Sequence, residues 1–448
     1  MGDMALGIAA SGLDAQQTVM DTIAQNLSNA NTPGYVAQTA DLSTLTGGGD
    51  TLGVGGGVQV TAITQASDGL LAANLQQAQG ALSQSTALQQ VLSGAQATFA
   101  EPGTNGLSAQ LSAFWQAWDG IAQNPSALAP RTQVVDTAQN LVTSLSQASS
   151  QLAQLQSNAQ NQLGSVVSAT NTLLAQVAQL NNQIVQAKGA GTDPNALVDQ
   201  RNALMGTLSS NIGAVATNMP DGTITVRVGG ISLVQGASAD TLQLSGAPGS
   251  LAITSATSKV TVPATGGQAS GLLAAINQYL PGYQTQLDTV ANQLSTTVNT
   301  QLAAGFTATG AAGQPLFTGT GASGLAVNAA VVADPTQIAA SSTSTMPDAT
   351  NNGANAQAMA ELYNASTGPD QSYQTFIQGL GAQLQNTNNQ VQAQTSVANA
   401  AQQNLQAVAG VNPDQEMVHM LSTQQAYQAS AKLISTVATM MQSLLASV

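Results

Sequence analysis

The sequence contains no cysteine, and only 6% of its 448 residues are charged and 3% aromatic. Without cysteine, neither a disulfide framework nor a thiolate site can form. Average domains carry about 25% charged residues, so the polarity here comes instead from Gln, Asn, Ser and Thr, and the bulk from Ala. Because Ala and Gln are good helix formers, the composition predicts a mainly helical chain with narrow seams between helices.

Basic residues are also scarce. Six Lys and Arg stand against twenty Asp and Glu, the net charge is −14, and no basic residue precedes Arg131. Nucleic-acid binding needs cations to neutralise phosphates, and an anionic membrane surface attracts basic segments, so we expect neither partner. The N-terminus lacks the pattern of a cleavable secretory signal, and no run of about 18 apolar residues predicts a membrane span.

The sequence offers little material for catalysis. Its single histidine, His419, lies in a helical pattern without a cluster of carboxylates around it, so we expect an exposed helical histidine and no metal site. Asp414 and Glu416 follow Asn412-Pro413, where acids in the first turn of a helix are favoured by the helix dipole. We therefore predict no enzymatic activity and no cofactor.

The chain opens with a heptad pattern and a turn. Over residues 4–30 apolar side chains recur every seven residues, with companions three positions later and Gln16 as an interruption. The members of this predicted seam are Leu6, Leu13, Met20 and Leu27, with Ile23 beside them. The turn motif that ends the helix consists of Asn31, Thr32, Pro33, Gly34 and Tyr35, which fits a type II turn, and strand-like alternation follows up to residue 65.

The middle of the chain predicts long helices interrupted by a β-rich segment. Residues 130–188 carry one apolar heptad position from Ala138 to Ala187 without an internal proline, which predicts a helix of roughly 90 Å. A dense aromatic patch, Phe114, Trp115 and Trp118, is expected to fill core space. The periodicity changes to two within 206–268, and helix returns to 303 with an expected kink at Pro281-Gly282.

The chain also ends in a heptad helix. One position comprises Met420, Tyr427, Ile434 and Met441, and the predicted companion position comprises Met417, Gln424, Ala431, Ala438 and Leu445. Neither terminal helix can bury its stripe alone, so the two are expected to pack on each other or on other copies. The predicted domains are a terminal domain (1–65 and 395–448), a long-helix middle domain (66–205 and 269–394) and a β-rich outer insertion (206–268).

Both ends of the chain resemble known signatures. "ALGIAASGLDAQQTVMDTIAQNLSNANTPGY" (5–35) and "GVNPDQEMVHMLSTQQAYQASAKLISTVATMMQSLL" (410–445) are similar to the N- and C-terminal signatures of the bacterial flagellar rod, hook and hook-associated proteins. The stretches at 180–213, 231–236 and 298–317 resemble the hook-associated protein 1 family, which joins hook to filament. The resemblance covers nearly the whole chain.

The resemblance implies a structural part of the extracellular flagellum. The terminal helices would form a coiled coil in an axial assembly, with self-association in a ring. The hook protein and hook-associated protein 3 would be neighbours, and an export chaperone would hold the C-terminal helix before type III export. Family members usually carry Ser or Lys and then Arg after the Tyr of the turn, where Val36-Ala37-Gln38 stand here, so a charged contact at this point is in doubt. A rod or hook protein of the same superfamily, or a secreted helical adhesin, remains the alternative.

Overall fold

The computed structural model describes residues 2–32, 35–45, 55–66, 68–104 and 106–446, without the side chains of residues 2, 3, 444 and 445. It confirms the predicted fold class, because long helices dominate and the strands form small antiparallel sheets. The helices are α1 (Gly2–Asn29), α2 (Gly69–Phe99), α3 (Leu107–Gln123), α4 (Leu128–Gly189), α5 (Asn195–Ile212), α6 (Gly267–Ala274), α7 (Leu280–Ala303), α8 (Gly321–Gly324), α9 (Ala329–Ala333), α10 (Asp348–Asn351), α11 (Ala354–Glu361), α12 (Pro369–Ala409) and α13 (Pro413–Ala446). The strands are β1 (Gln38–Leu45), β2 (Gly57–Gln65), β3 (Val215–Asn218), β4 (Ile224–Val228), β5 (Ile231–Gln235), β6 (Ser238–Ala239), β7 (Leu242–Ser245), β8 (Ala252–Ser255), β9 (Phe317–Thr318) and β10 (Ala326–Val327).

Helix α4 is the spine of the middle domain. Its 62 residues, at a rise of 1.5 Å each, extend for about 93 Å, as the uninterrupted heptad pattern predicted. Val134, Leu141, Leu145 and Leu163 on its inner stripe are fully buried. The partners of that stripe are helices α3, α5, α6 and α7 along its length, so the core is a long seam.

The aromatic patch on α3 fills the core, as predicted. Phe114 and Trp118 have no exposed surface and Trp115 is 2% exposed. The Phe114 ring packs edge-on against both tryptophans, and Trp115 Nε1 donates to the buried carboxylate of Asp370 at 2.7 Å. Burying each such side chain contributes about 1.5–3 kcal/mol, so this patch fixes α3 against α12.

Pro281 interrupts the α-helical hydrogen bonding, but one turn earlier than the proline itself. Residues Ala275–Tyr279 form a π-helical turn between α6 and α7, closed by the Leu280 amide donating to the Ala275 carbonyl. Since Pro281 has no N–H to donate, the wider turn re-pairs the carbonyls ahead of it, and the helix continues instead of breaking.

The β-rich insertion is attached to α4 by the buried side chain of Asn181. Strands β3, β4, β5 and β6 form one antiparallel sheet, and β7 pairs with β8. Asn181 donates to the carbonyls of Ile224 and Gly236 at 2.9 and 2.8 Å and accepts from the Ile224 amide. The predicted boundary at 206 falls inside α5, because Leu208 and Ile212 are buried in the helical core.

The terminal parts of the chain meet in a separate small unit, called here the tail domain: α1, the β1–β2 hairpin and α13. Strands β1 and β2 are antiparallel, with a bulge between Asp41 and Leu42. The predicted boundary at 395 lies within α12, which continues to Ala409 as one helix. The last turns of α12 therefore lead into α13, which packs against α1.

Candidate assembly site in the tail domain

Helices α1 and α13 pack antiparallel in the tail domain. Near one end of the pair a Cβ added to Gly12 would lie 3.3 Å from Ser430 Oγ, and near the other Asn26 Nδ2 donates to Glu416 at 2.9 Å. Between these points Met20, Met420 and Tyr427 line one groove. The two ends of the sequence thus pair within one chain, which is one of the two arrangements expected from the unpartnered stripes, while packing on other copies and a coiled coil in the assembly stay predictions.

On α1 the residues of the predicted seam are at least partly buried within the single chain. Ile23 is 5% exposed, and the other predicted seam residues are half-buried: Leu6, Leu13, Met20 and Leu27. Ala9 and Ala15 are also buried, and Ala15 lies one turn after Ser11, on the side that meets the hairpin. There the Val58 amide donates to Ser11 Oγ at 3.2 Å, so α1 lies between α13 and the hairpin.

On α13 one of the two predicted heptad positions is partly buried, whereas other residues are buried in place of the second. Met420, Tyr427 and Ile434 are half-buried. Thr423 and Val437 are buried, at 6% and 7% exposure, in the register of Glu416 and Ser430. In the single chain the residues buried against α1 thus lie one position before the predicted companion residues, whose role in the assembly stays a prediction.

The described side chains of that predicted companion position are exposed, and Gln424 lines the groove together with Met20 of α1. Met417 is 52% exposed, and Gln424, Ala431 and Ala438 are exposed. Met441, in the other position, is 36% exposed, and the side chain of Leu445 lies outside those described. A heptad pattern allows either neighbour of the seam as companion, and Thr423 can be buried because its hydroxyl donates to the His419 carbonyl at 2.8 Å.

A fully buried asparagine joins the helices of the tail to the hairpin. Asn26 has no exposed surface. Its Nδ2 donates to the Gln38 carbonyl at 2.8 Å and to Glu416 at 2.9 Å, while its Oδ1 accepts from the Gln38 amide and the Tyr35 hydroxyl, each at 2.9 Å. All four hydrogen bonds available to an amide side chain are made. Asn26 thereby fixes α1, the turn, β1 and α13 in one arrangement.

Sequence reasoning missed Asn26, Gln38 and Glu416 as parts of this site. The signal that could have found Asn26 is its place inside a helix, one turn before the end, where asparagine is a poor helix former. The partners could not be found, because Glu416 lies 390 residues away along the chain.

The predicted turn after α1 lies partly outside the described residues, and it stays a prediction. On either side of that gap the Tyr35 amide donates to the Thr32 carbonyl at 3.2 Å. Asn31 and Thr32 are exposed, and the Thr32 hydroxyl bonds to Asn29. Pro33 and Gly34 lie outside the described residues.

The segment after Tyr35 makes its contacts through the backbone. The Ala37 amide donates to the Ala409 carbonyl at 2.9 Å at the end of α12, and both backbone groups of Gln38 bond to Asn26. These hydrogen bonds do not use a side-chain charge, so the uncharged Val36-Ala37-Gln38 is sufficient to form them.

A second polar contact attaches the tail domain to α5 of the middle domain. Gln65 at the end of β2 donates through Nε2 to Asp199 at 2.9 Å and to the Asn195 carbonyl at 3.3 Å. Asn195 Nδ2 donates in turn to the Ile63 carbonyl at 2.8 Å. We call these residues of β2 and α5 the tail–middle joint.

The joint is acidic. Burial raises the pKa of Asp199 to about 6, and the Asp193 charge adds to this against the hydrogen bond from Gln65. Burial also raises the pKa of Tyr35 to about 12, with Asp199 and Glu416 contributing as negative charges. The phenol therefore stays protonated and keeps its donor to Asn26.

The described residues hold nothing arranged for metal chemistry or for crossing a membrane. In that part of the chain, no three His, Asp or Glu side chains converge in a geometry that could hold a metal ion. None of the helices within it has the length and apolarity that a membrane span requires. His419 is exposed on α13, as predicted.

These features define a class of elongated helical protein whose two termini pair in one domain. A family model described as the flagellar hook-associated protein FlgK helical domain matches residues 92–317. Two further models match the ends: flagella basal body rod protein at residues 6–35, and flagellar basal body rod FlgEFG protein C-terminal at 402–447. The chain belongs to the flagellar hook-associated protein FlgK family, which confirms the resemblance seen in the sequence.

Individual relatives agree with this membership. Flagellar hook-associated protein 1 of Escherichia coli (strain K12) is 30% identical over 328 residues, which cover 69% of this chain and 59% of that protein. The protein of the same name from Bacillus subtilis (strain 168) is 26% identical over 486 residues, covering 96% of both. The matched region thus spans less than two thirds of the E. coli relative but nearly all of the B. subtilis one.

A solved structure shares the fold. The flagellar hook junction protein FlgK from Burkholderia pseudomallei superposes with a TM-score of 0.65 at 18% identity, covering 75% of this chain and 99% of that one. At this identity the likeness concerns the fold, which is the long-helix architecture described above.

Proposed function

We propose that this protein is a structural component of the bacterial flagellum that joins hook to filament. The observation that carries the proposal is the tail domain, in which the first and last helices pair through Asn26 and Glu416 while α13 keeps large apolar side chains exposed. These are Met417, Val418, Leu421, Leu433 and Met440, each 48–67% exposed. In water such a stripe is costly, so burial against neighbouring subunits would stabilise an assembly.

The partners follow from this role. The hook protein lies below and hook-associated protein 3 above, copies of the chain associate in a ring, and a flagellar export chaperone covers the α13 stripe before type III export to the cell exterior. The role is structural and not enzymatic, and the net charge of −14 speaks against nucleic acid and anionic membranes as partners. The rod-protein models at both ends fit the superfamily alternative, but the hook-associated model over 92–317 favours the junction.

The test is deletion of the gene in a motile strain of the source bacterium, followed by electron microscopy. We expect hooks without filaments and filament protein in the medium, with both restored by the intact gene. A deletion strain with normal filaments would overturn the proposal, and loss of the hooks themselves would favour a rod or hook role.

A further inference from the structure

The short loop between α10 and α11 contains an Asn-Gly pair, Asn352 and Gly353. In an open chain this dipeptide is especially prone to deamidation, because glycine has no side chain to hinder attack by its backbone nitrogen on the asparagine side chain. A second pair, Asn105-Gly106, precedes α3 in the sequence. Neither pair has a part in the tail domain, so the loop at Asn352 raises a separate question about the middle domain.

The chemistry of this reaction needs no reagent besides water. The backbone nitrogen of Gly353 bonds to Cγ of Asn352 and gives up its proton, while the side-chain nitrogen of Asn352 leaves as ammonia. The product is a five-membered succinimide ring, and water opens it at either carbonyl. One opening gives aspartate. The other gives isoaspartate, in which the main chain runs through the former side chain and is longer by a methylene group.

The folded loop holds Asn352 in a conformation from which the ring cannot close. Closure needs the Gly353 nitrogen to eclipse Cβ of Asn352, whereas a ψ of 118° at Asn352 turns that nitrogen away. Oδ1 of Asn352 accepts from the backbone amides of Ser342 and Ala354 at 3.1 and 3.0 Å. The reaction therefore requires backbone and side chain to rotate out of this arrangement together.

Packing on both sides of the pair prevents that rotation. Gly353 lies against the end of α3, where an added Cβ would collide with the Ala122 carbonyl. Asn355, which is 4% exposed, donates to the Ala339 carbonyl and accepts from the Gln301 side chain, each at 2.7 Å. The reactive conformation is thus reached only by molecules in which this loop has opened.

We propose that Asn352 is a deamidation site that the native loop protects, and that isoaspartate formed there in an unfolded chain prevents the loop from closing again. The aspartate product is tolerated, because its carboxylate accepts from Ser342 and Ala354 as the amide does, and a negative charge is favourable at the start of a helix. Isoaspartate instead lengthens the main chain where Gly353 has no free space beside Ala122. The property belongs to the single chain and does not depend on the junction role.

Peptide mapping of the full chain by mass spectrometry measures the protection. The protein is incubated in mildly alkaline buffer with and without guanidinium chloride, and the conversion of Asn352 is followed over time. We expect conversion in the folded chain to be slower by more than about tenfold, because only the opened fraction reacts. Equal rates in the folded and unfolded chain would overturn the proposal.

Two alanine substitutions show whether the contacts of the loop provide this protection. Asn355→Ala removes the buried amide contacts and should speed the conversion of Asn352 severalfold in a chain whose circular dichroism is unchanged. Asn364→Ala makes the same substitution at an exposed position and should leave the rate as it is. An Asn355→Ala chain that converts Asn352 no faster than the unmodified chain would contradict the proposal.

Refolding tests the consequence of isoaspartate. This experiment uses Asn105→Gln, which leaves Asn352-Gly353 as the single Asn-Gly pair in the sequence. Chains deamidated in denaturant are refolded, the isoaspartate form is separated by chromatography, and hydrogen exchange is measured. We expect fast exchange of the α11 amides in the isoaspartate form and slow exchange in an Asn352→Asp variant, with α4 slow in both. Equal exchange of α11 in the two forms would overturn the proposal.

Discussion

At the scale of single residues, asparagine side chains attach loops and strands to the helices of this protein. Asn26, Asn171, Asn181, Asn277 and Asn299 each bond both an amide and a carbonyl of a passing backbone segment. An amide side chain presents the same donor and acceptor as the backbone, so it can take the place of a neighbouring strand. A chain with few charges thereby holds its hairpins and loops on its helices.

Replacing Asn26 by Asp tests the most connected of these asparagines. The variant keeps both acceptor contacts but loses the donors to Gln38 and Glu416, and it sets a second carboxylate against Glu416. Removing a buried donor and adding a like charge should destabilise the tail domain by about 2–4 kcal/mol. Hydrogen exchange of α13 amides measures this, and we expect faster exchange there with α4 unchanged.

The exposed Asn31 provides the matched control. Asn31→Asp introduces the same charge five residues later in the chain, where the side chain is in water, and should leave the exchange of α13 as it is. Equal effects of the two substitutions would mean that added charge, and not the buried hydrogen bonds, explains the result.

At the scale of elements, the helices cross closely where they carry glycine. A Cβ added to Gly271 on α6 would collide with the Gln84 carbonyl of α2, and one added to Gly80 would lie 3.2 Å from the Ser209 carbonyl of α5. Small residues let helix backbones approach where few large side chains are available. The middle domain thus depends on the absence of side chains at these crossings as well as on its apolar seam.

Substitution of two glycines by alanine should have opposite effects on stability. Gly271→Ala forces α6 away from α2 and should cost about 1–3 kcal/mol. Gly164→Ala lies in the interior of α4 with open space around the added methyl group, and should stabilise by about 0.5–1 kcal/mol through helix propensity. Urea denaturation followed by circular dichroism compares them, and a stabilising Gly271→Ala would contradict the close crossing.

The side of α13 that faces α1 gives a further prediction at the scale of elements. Ile434→Asp places a charge on the half-buried side of α13 that faces α1, and should loosen the tail by about 2 kcal/mol or more while leaving the middle domain folded. Motility should be lost. Leu433→Asp alters a neighbouring residue that is 48% exposed, so it should spare the α1–α13 pair.

These two variants also separate folding from assembly. Loss of motility in Leu433→Asp with normal tail protection from exchange would locate an assembly surface on the exposed side of α13. Normal swimming of Ile434→Asp would show that the pairing of α1 and α13 is not needed in the flagellum.

At the scale of the whole molecule, stability is unevenly distributed. The middle domain is built on α4 with its fully buried stripe, whereas the tail domain buries few large side chains and is attached through short polar contacts. Regions with few buried apolar contacts open first. The chain should therefore behave as a stable elongated body with a less stable tail.

Limited proteolysis and small-angle scattering test this organisation. Scattering should give a maximum dimension above about 90 Å, the length of α4 alone. A protease of broad specificity should remove the ends before it cuts the middle. Trypsin is unsuited, because Lys432 is the single Lys or Arg in the tail; a compact particle with protected ends would contradict the prediction.

Local periodicity and composition were enough to define much of this protein. The 62-residue helix, the two terminal heptad helices, the turn at Thr32 and the aromatic core patch each leave a signal within a few neighbouring residues, and the family signatures lie in the same stretches. The lack of cysteine and the scarcity of basic residues limit the chemistry open to the chain whatever its fold.

The tertiary structure decides which face of each helix is buried and which distant residues form hydrogen bonds with each other. A heptad pattern permits two companion positions, and only packing against α1 selected Thr423 and Val437 over Met417. Asn26 with Glu416, and Gln65 with Asp199, lie 390 and 134 residues apart, and a polar residue carries no local sign of a distant partner. Such contacts exist because folding brings the two ends of the chain together, and that closure is a property of the whole molecule.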